Sequence, residues 1–247
     1  MNQFFVNRND MERTPLQLKG EDYNHMKNVL RLKCGEKVML SDGEGKEYIC
    51  QIADYSTQEE SVELKIVDVF GSTAELPVKI TLFQGYPKGD KMETVVQKAV
   101  ELGAYEIVPV MMNRSVVKLD EKKASKKVER LNAIALSAAK QSKRGIIPQV
   151  QPVMTFEEAV SYASIMDYIL LPYEQAEGME YSRQVLKESI GKERIAVFIG
   201  PEGGFDLSEV AEIERIGGKT LSLGHRILRT ETAGMTILSL LMYLLEE

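Results

Sequence analysis

The sequence predicts an α/β protein in which a small β-barrel precedes a parallel α/β domain. Residues 1 to about 70 contain short apolar or alternating runs separated by turns, a pattern typical of a small barrel. After a candidate linker at residues 71–74, predicted strands and helices alternate, which indicates a parallel sheet. The predicted domains are therefore residues 1–71 and residues 72–247.

The composition is that of a folded protein of the cytoplasm. Of the 247 residues, 44% are hydrophobic and 28% are charged, with a net charge of −6. Cys34 and Cys50 are too few for a disulfide scaffold and favour reduced thiols. Residues 1–10 show no signal-peptide pattern, and the apolar run 234–245 is shorter than the about 20 residues of a membrane span. We therefore expect a cytoplasmic protein with no membrane segment.

The first domain is expected to contain several short strands and one helix. The turn at residues 41–46 carries Asp-Gly and a second glycine, as in a hairpin connection. Tyr23, Met26 and Val29 recur at helical spacing within a predicted helix at residues 20–31. The predicted strands are residues 3–6, 37–40, 48–52 and 62–67.

The second domain is expected to alternate between strands and helices. Its predicted strands are residues 78–83, 107–110, 168–171 and 195–199. Its predicted helices are residues 91–102, 126–142, 156–162, 207–216 and 232–245. The last of these helices is apolar nearly all round, so we expect it to be buried on more than one side. Burial in the core alone is one interpretation, and burial in a homodimer interface as well is the preferred one.

One stretch of this acidic protein is strongly basic. Residues 113–144 contain ten basic and three acidic side chains, a charge of +7, which leaves −13 for the rest of the chain. A local positive field of this kind suits a site for a polyanion, because phosphates need only a local positive field. The alternative is a solvated helix face with a lysine-rich turn.

The first candidate motif is Gly-Pro-Glu-Gly-Gly at residues 200–204, directly after a buried strand. Its glycines allow a ligand to approach the main chain, and ligands of open α/β sheets bind beyond the carboxyl ends of strands. Glu202 would then be a carboxylate at the mouth of a pocket. The alternative is a tight strand-to-helix connection without a ligand. The motif matches neither a dinucleotide fingerprint nor a P-loop.

The second candidate motif spans residues 221–233. A short strand leads to Gly224, and the following loop carries Arg226 and Arg229 before Thr-Glu-Thr. Thr230 or Thr232 could cap the next helix. Capping does not account for the two arginines, whose guanidinium groups suit a phosphate or a carboxylate. A third motif, at residues 138–144, ends the basic helix, where cations also complement the helix dipole.

No metal site is predicted. His25 and His225 do not form a ligand set with Cys34 and Cys50, because the required spacing is missing.

Taken together, the motifs resemble one family. The resemblance is carried by residues 25–32, 42–45, 113–116, 141–142, 200–205 and 223–233. These segments are similar to the bacterial 16S ribosomal RNA uridine-N3 methyltransferase family (RsmE), over nearly the whole chain. The chain departs from the family pattern at His225, where proline is expected, and at Lys140, where an acidic residue is common.

The resemblance implies a SPOUT-type α/β domain with a C-terminal trefoil knot, preceded by a PUA-like β-barrel that binds RNA. It also implies a homodimer, S-adenosyl-L-methionine as methyl donor and 16S ribosomal RNA of the small ribosomal subunit as partner. The implied cofactor-binding residues are Leu170, Leu171, Pro172, Ile199, Gly200, Pro201, Glu202, Gly203, Leu221, Leu223, Gly224, Arg226, Ile227 and Leu228.

The chemistry of the implied reaction suggests further roles. N3 of uridine must lose its proton to attack the methyl group, so a cation near O2 and O4 would stabilise the developing charge. We expect Arg229 to supply this cation and Glu231 to orient it or take the proton. The expected RNA-backbone contacts are Arg31, Arg114, Lys143 and Arg144. The alternatives are a non-catalytic RNA-binding protein and a small-molecule α/β enzyme.

Overall fold

The chain divides into two compact units in the computed structural model. The structure describes residues 1–11, 15–117, 119–176 and 178–246. The first unit consists of Met1–Glu75 and Ala139–Ile147, and the second consists of Leu76–Ala138 and Pro148–Glu247. The boundary expected between residues 71 and 72 lies close to the first crossing between the units. The return of residues 139–147 to the first unit was not predicted.

Among the described residues, five strands form the sheet of the first unit in the order β1-β3-β4-β5-β2. They are β1 (Gln3–Phe5), β2 (Leu16–Lys19), β3 (Lys37–Ser41), β4 (Lys46–Ser56) and β5 (Ser61–Gly71). β1 runs parallel to β3, and the other neighbouring strands are antiparallel. The four strands expected from the sequence are present, and β2 is an additional one.

The helical segments of this unit are short. They are α1 (Arg8–Met11), α2 (Glu21–Asn24) and a π-helical turn (His25–Val29) that continues α2. The helix expected at residues 20–31 is therefore present, but its second half is wider than an α-helix. The Leu30 N–H donates to the His25 carbonyl, five residues earlier, at 2.9 Å. The wider turn changes the angular spacing of the side chains around the helix axis. Val29 is therefore 63% exposed and does not lie on the buried apolar face that was predicted.

The core of the first unit packs between the sheet and these helices. Met26, Val38, Leu40 and Cys50 have no exposed surface. Cys34 is exposed, and both cysteines are free thiols. Burial raises the pKa of the Cys50 thiol to about 11, so it stays protonated at neutral pH.

One carboxylate of the first unit binds several groups of residues 139–147. Glu75 accepts hydrogen bonds from Arg144 Nη2 at 2.6 Å, from Arg144 Nε at 2.9 Å and from Gly145 N at 2.8 Å. Ile146 N donates to the same carboxylate at 3.2 Å. Arg144 is only 3% exposed, so this ion pair is largely withdrawn from water. Ser41 Oγ also donates to the Gly145 carbonyl at 2.8 Å, so the buried pair is one of several contacts that join the segment to a unit distant in sequence.

Among the described residues, seven parallel strands form the sheet of the second unit. They are β6 (Lys79–Gly85), β7 (Glu106–Met111), β8 (Gln149–Val150), β9 (Met154–Thr155), β10 (Tyr168–Pro172), β11 (Arg194–Ile199) and β12 (Lys219–Leu221). Their order is β12-β10-β11-β6-β7-β8, and β9 also pairs with β7. All neighbouring pairs are parallel, as the alternation of strands and helices predicts.

Helices connect these strands. They are α3 (Lys91–Glu101), α4 (Glu121–Ser142), α5 (Phe156–Ala163), α6 (Met179–Lys187), α7 (Leu207–Arg215) and α8 (Thr230–Leu245). The five expected helices are present, α4 begins five residues earlier than predicted, and α6 was not predicted. None of the helices in the described part of the chain is long and apolar enough to span a membrane.

The central strands and α8 form the core of the second unit. The rings of Phe83 on β6 and Phe198 on β11 stack with centroids 4.6 Å apart. On α8, Ile237 is buried, whereas Leu240 and Tyr243 are 40% and 86% exposed. The helix therefore buries one face in its own unit and presents apolar side chains on another.

Candidate functional site

Two loops and the end of a strand come together at the carboxyl ends of the strands of the second unit. The loop at residues 200–206 follows β11, and the loop at residues 222–229 follows β12. β10 lies between these two strands and runs parallel to both, so its end, Pro172, lies between the loops. The structure thus brings together the three segments that the sequence suggested for a cofactor site.

The ends of β10 and β12 present main-chain groups. Leu170, Leu171 and Leu221 have no exposed surface, so their side chains belong to the core. Pro172 pairs with Leu221 in the sheet register, and Tyr173 N donates to the Leu221 carbonyl at 2.9 Å. A ligand at this edge would meet backbone groups rather than leucine side chains.

Close packing explains the glycines of the 200–204 loop. A Cβ on Gly200 would lie 3.1 Å from the carbonyl carbon of Gly204, and one on Gly203 would lie 2.9 Å from Arg114 Cβ. A Cβ on Gly85, at the end of β6, would lie 2.6 Å from Pro201 N. The loop is therefore folded tightly on itself and against β6. Such packing is also expected if the loop is only a tight strand-to-helix connection without a ligand.

A buried hydrogen-bond chain ties this loop to the start of α8. Thr230 Oγ1 donates to the Gly200 carbonyl at 2.6 Å and accepts from Gln84 Nε2 at 2.7 Å. Gln84 has no exposed surface, and its Nε2 also donates to the Gly85 carbonyl at 3.0 Å. The helix N-cap is Arg229, so the expectation that Thr230 or Thr232 caps α8 is wrong. Thr230 is already the first residue of the helix, and its hydroxyl donates to the Gly200 carbonyl instead of capping the helix.

An ion cluster lies beside the hydrogen-bond chain. Lys91 Nζ is 3.0 Å from Glu202 Oε1 and 3.7 Å from Glu231 Oε2. Lys88 N also donates to Glu202 Oε1 at 3.2 Å. Burial alone would raise the pKa of the Glu202 carboxyl, but the bonds from Lys91 and from backbone amides outweigh it and hold the pKa below its usual value. Glu202 is therefore an anion at neutral pH.

Glu231 has a different environment. Its Oε2 atom is buried and makes no hydrogen bond within the described residues. The ion pair that the structure gives this carboxylate is with Lys91, on α3, rather than with Arg229. A buried acceptor without a donor is a common feature of sites that bind a ligand.

The 222–229 loop exposes most of its polar side chains. Arg226 and Arg229 are exposed, and Ile227 is 87% exposed, whereas Leu223 and Leu228 are half-buried. Gly224 has a φ of +116°, a conformation that strains any residue with a side chain. The exposed guanidinium groups are accessible to an anionic ligand.

The expected RNA contacts are not all alike. In the first unit, Arg31 and Lys143 are exposed and have left-handed backbone angles. Arg114, in the second unit, is half-exposed and donates to the Gly203 carbonyl at 3.2 Å. Arg144 is buried and bound to Glu75, so the structure does not fit the phosphate contact expected for it.

Sequence reasoning missed Gln84 and Lys91. The only local sign of Lys91 was a cation in the first turn of a predicted helix, where the helix dipole disfavours positive charge. Gln84 carried no sign, because a polar residue at a strand end is common. No group of three metal-ligating side chains was found in the described ranges.

Comparisons with known proteins agree with this arrangement. Residues 74–242 match the RNA methyltransferase domain family, and residues 18–67 match the RNA methyltransferase PUA domain family. The chain is 36% identical to the ribosomal RNA small subunit methyltransferase E of Bacillus subtilis, with 98% of this chain and 96% of that protein covered.

Solved structures show the same similarity. The ribosomal RNA small subunit methyltransferase E of Neisseria gonorrhoeae, bound to S-adenosyl methionine, superimposes with a TM-score of 0.79 at 29% identity. That match covers 96% of this chain and 95% of the other. A Legionella pneumophila protein in complex with the same cofactor gives a TM-score of 0.78 at 32% identity, covering 98% and 96% of the two chains.

The resemblance inferred from the sequence motifs is thus confirmed by one family model over most of the α/β unit and by full-length relatives. The chain belongs to the ribosomal RNA small subunit methyltransferase E (RsmE) family.

Proposed function

We propose that this protein uses S-adenosyl-L-methionine to methylate N3 of a uridine in 16S ribosomal RNA of the small ribosomal subunit. The observation that carries the proposal is the convergence of the 200–206 and 222–229 loops with the end of β10. Family membership and the cofactor-bound relatives support it. Residues 1–71 are proposed as the PUA-like RNA-binding domain and residues 72–247 as the SPOUT methyltransferase domain.

The path of the chain supports the proposed trefoil knot. β12 lies at the edge of the sheet, on the far side of β10 from β11. The next helix, α8, nevertheless begins at Thr230, which bonds to Gly200 after β11 and to Gln84 on β6. The chain must therefore cross back past the end of β10, as a threaded loop would.

The residues present fit an adenosine cofactor. Buried leucines at the strand ends leave backbone donors and acceptors for the adenine, and Gly204 and Gly224, where an added Cβ would meet no atom closer than 4.0 Å, leave room for close approach. The carboxylates of Glu202 and Glu231 suit the positive charge of a sulfonium. The proposed holders are those implied by the family resemblance: Leu170, Leu171, Pro172, Ile199, Gly200, Pro201, Glu202, Gly203, Leu221, Leu223, Gly224, Arg226, Ile227 and Leu228. When bound, the cofactor supplies the methyl group.

Two side chains are proposed to assist the uridine. The exposed guanidinium of Arg229 would stabilise the negative charge that develops on O2 and O4 as N3 loses its proton. Glu231 Oε2, buried and without a hydrogen-bond donor in the described residues, would accept that proton, whereas the alternative role of orienting Arg229 is less well supported because its ion pair is with Lys91. The protein otherwise contributes by holding N3 in line with the methyl group.

Binding of RNA and of a second subunit are proposed from exposed groups. Arg31, Lys143 and Arg114 would contact phosphates, which makes affinity depend steeply on salt. Leu240 and Tyr243, exposed on the apolar helix α8, support a homodimer, because exposed apolar patches mark interaction surfaces. We also propose a cytoplasmic location, since ribosomal RNA is the proposed substrate.

The proposal is tested by two measurements on the full chain. Calorimetry should show stoichiometric binding of S-adenosylmethionine. Mass spectrometry should show methylated uridine in 16S ribosomal RNA that has been incubated with the protein and S-adenosylmethionine. Arg229→Ala should bind RNA normally but turn over at least about 100-fold more slowly. A wild-type protein that does not bind the cofactor, or methylation of another base, would refute the proposed function.

A further inference from the structure

Lys91 stands at an unfavourable place in its helix. It is the first residue of α3, where the helix dipole is positive and a cation is destabilising. Glu93, in the same turn, does not neutralise it, because that carboxylate is bound by Arg130 at 2.8 Å. A cation kept at such a position requires compensation from elsewhere in the fold.

The compensating negative charges come from two signature motifs, residues 200–204 and residues 221–233. Glu202 lies in the 200–204 loop and Glu231 in the first turn of α8, and Lys91 Nζ is 3.0 Å and 3.7 Å from their carboxylates. The three side chains are only 27%, 22% and 19% exposed, so the solvent screens these contacts less than it screens surface pairs. In the described residues, Lys91 is thus the ion-pairing partner that the two motifs share.

The glycine-rich loop needs such a partner. Glycines lose much conformational entropy when a loop becomes ordered, so an unanchored 200–204 loop would populate many conformations. Only the fraction of molecules with a correctly folded loop can bind a cofactor without a further penalty. Glu202 fixes the centre of this loop through Lys91 and through the backbone amide of Lys88.

We propose that Lys91 is a positioning residue for the methyl-transfer site. Through Glu202 it holds the 200–204 loop in the conformation that binds the cofactor, and through Glu231 it fixes the carboxylate at the start of α8. This inference rests on the proposed function. Lys91 is not itself assigned a contact with the cofactor or with uridine.

The test compares Lys91→Met with Lys91→Arg and with Lys98→Met. Lys98 lies on the same helix and pairs with Glu101 at 2.7 Å, so its variant loses an ion pair of the same helix outside the site. Calorimetry with S-adenosylmethionine should give a Kd about tenfold higher for Lys91→Met, equivalent to about 1.4 kcal/mol. Lys91→Arg keeps the charge and should stay within about threefold of wild type, as should Lys98→Met.

A double-mutant cycle separates positioning from general destabilisation. In a Glu202→Gln background, Lys91→Met should weaken cofactor binding by less than about threefold, because the partner of the lysine is already altered. Amide hydrogen exchange of the protein without cofactor gives an independent readout. The Gly204 amide, which donates to the Pro201 carbonyl at 2.9 Å, should exchange about tenfold faster in Lys91→Met and unchanged in Lys98→Met.

The outcomes distinguish a failure of the positioning role of Lys91 from a failure of the proposed function. If wild type binds the cofactor but Lys91→Met and Lys98→Met have equal Kd values and equal Gly204 exchange rates, the role of Lys91 is refuted and the proposed function stands. Fully additive effects of Lys91→Met and Glu202→Gln would also refute it. If wild type does not bind S-adenosylmethionine, the proposed function and this inference both fail.

Discussion

Thr230→Val tests whether the cofactor loop depends on the buried chain from β6 to α8. Valine has nearly the volume of threonine but no hydroxyl group. The substitution removes the 2.6 Å bond to the Gly200 carbonyl and the 2.7 Å bond from Gln84. Thr230 is 6% exposed, so water cannot easily replace the hydroxyl. The matched control is Thr230→Ser, which keeps the hydroxyl and loses a methyl group.

The size of the effect follows from the groups left without partners. A buried polar group that loses its partner is destabilised by about 1–3 kcal/mol. Gln84 Nε2 keeps its second bond, to the Gly85 carbonyl at 3.0 Å, so most of the loss comes from the Gly200 carbonyl. We expect Thr230→Val to be about 2 kcal/mol less stable than wild type. Thr230→Ser should lose about 1 kcal/mol or less, the value of one buried methyl group.

Two assays measure the consequence. Urea denaturation of the full chain reports the free energy of unfolding, and calorimetry reports the affinity for S-adenosylmethionine. Because Gly200 lies in the proposed cofactor cradle, Thr230→Val should bind the cofactor at least about tenfold more weakly than Thr230→Ser. If the two variants have equal stability and equal affinity, the hydrogen-bond chain does not position the loop, and the reasoning is wrong.

Three other predictions concern packing, the buried ion pair and pH. Gly85→Ala should destabilise the protein by about 2 kcal/mol or more, because its Cβ would lie 2.6 Å from a backbone nitrogen, whereas a Cβ on Gly71 would meet no atom within 4 Å and Gly71→Ala should be nearly neutral. Glu75→Gln should lose about 3 kcal/mol in urea denaturation, since it removes the negative charge that pairs with a 3% exposed arginine, whereas Glu44→Gln, in an exposed pair, should change stability by less than about 1 kcal/mol. Folding lowers the pKa of Glu202, so its carboxylate stabilises the protein fully above pH 4.5, the ordinary pKa of the group. This stabilisation is lost as the pH falls from 4.5 through the lowered pKa, and the Glu202→Gln variant should show no such loss.

Each of these predictions has a result that contradicts it. Equal denaturation midpoints for Gly85→Ala and Gly71→Ala would mean that the β6 end and the loop are not tightly packed. A Glu75→Gln variant no less stable than Glu44→Gln would mean that the ion pair does not hold residues 139–147. Parallel stability curves for wild type and Glu202→Gln between pH 3 and pH 5 would exclude the carboxylate as a source of acid sensitivity.

The sequence was sufficient to predict most elements of the second unit. Its central strands are largely apolar runs, which is the pattern of parallel strands covered on both faces, so their existence and type could be deduced, whereas their order in the sheet could not. The prediction failed for α6 and for the short strands β2, β8 and β9, and it placed the onset of α8 two residues late. Tertiary contacts decide such boundaries, as the position of Thr230 shows: its hydroxyl bonds to another loop instead of capping its own helix.

The two signature motifs were also identifiable from the sequence, because glycines and arginines stand there next to buried strands. Their anchors were not identifiable. Lys91 and Glu202 are 111 residues apart, and Gln84 and Thr230 are 146 residues apart. No local pattern links positions so distant in the chain, so neither contact leaves a signal in composition or periodicity.

The amino-acid sequence by itself determined the parallel α/β class, the two-part organisation and the loops proposed to carry the site, because hydrophobic periodicity and glycine placement are local properties. Only the tertiary structure decided which charges meet. It buried Arg144 against Glu75, although the sequence suggested an RNA contact, and it paired Glu231 with Lys91. The physical reason is that burial and ion pairing depend on which distant segments folding brings together. That arrangement depends on the whole sequence and not on any local pattern.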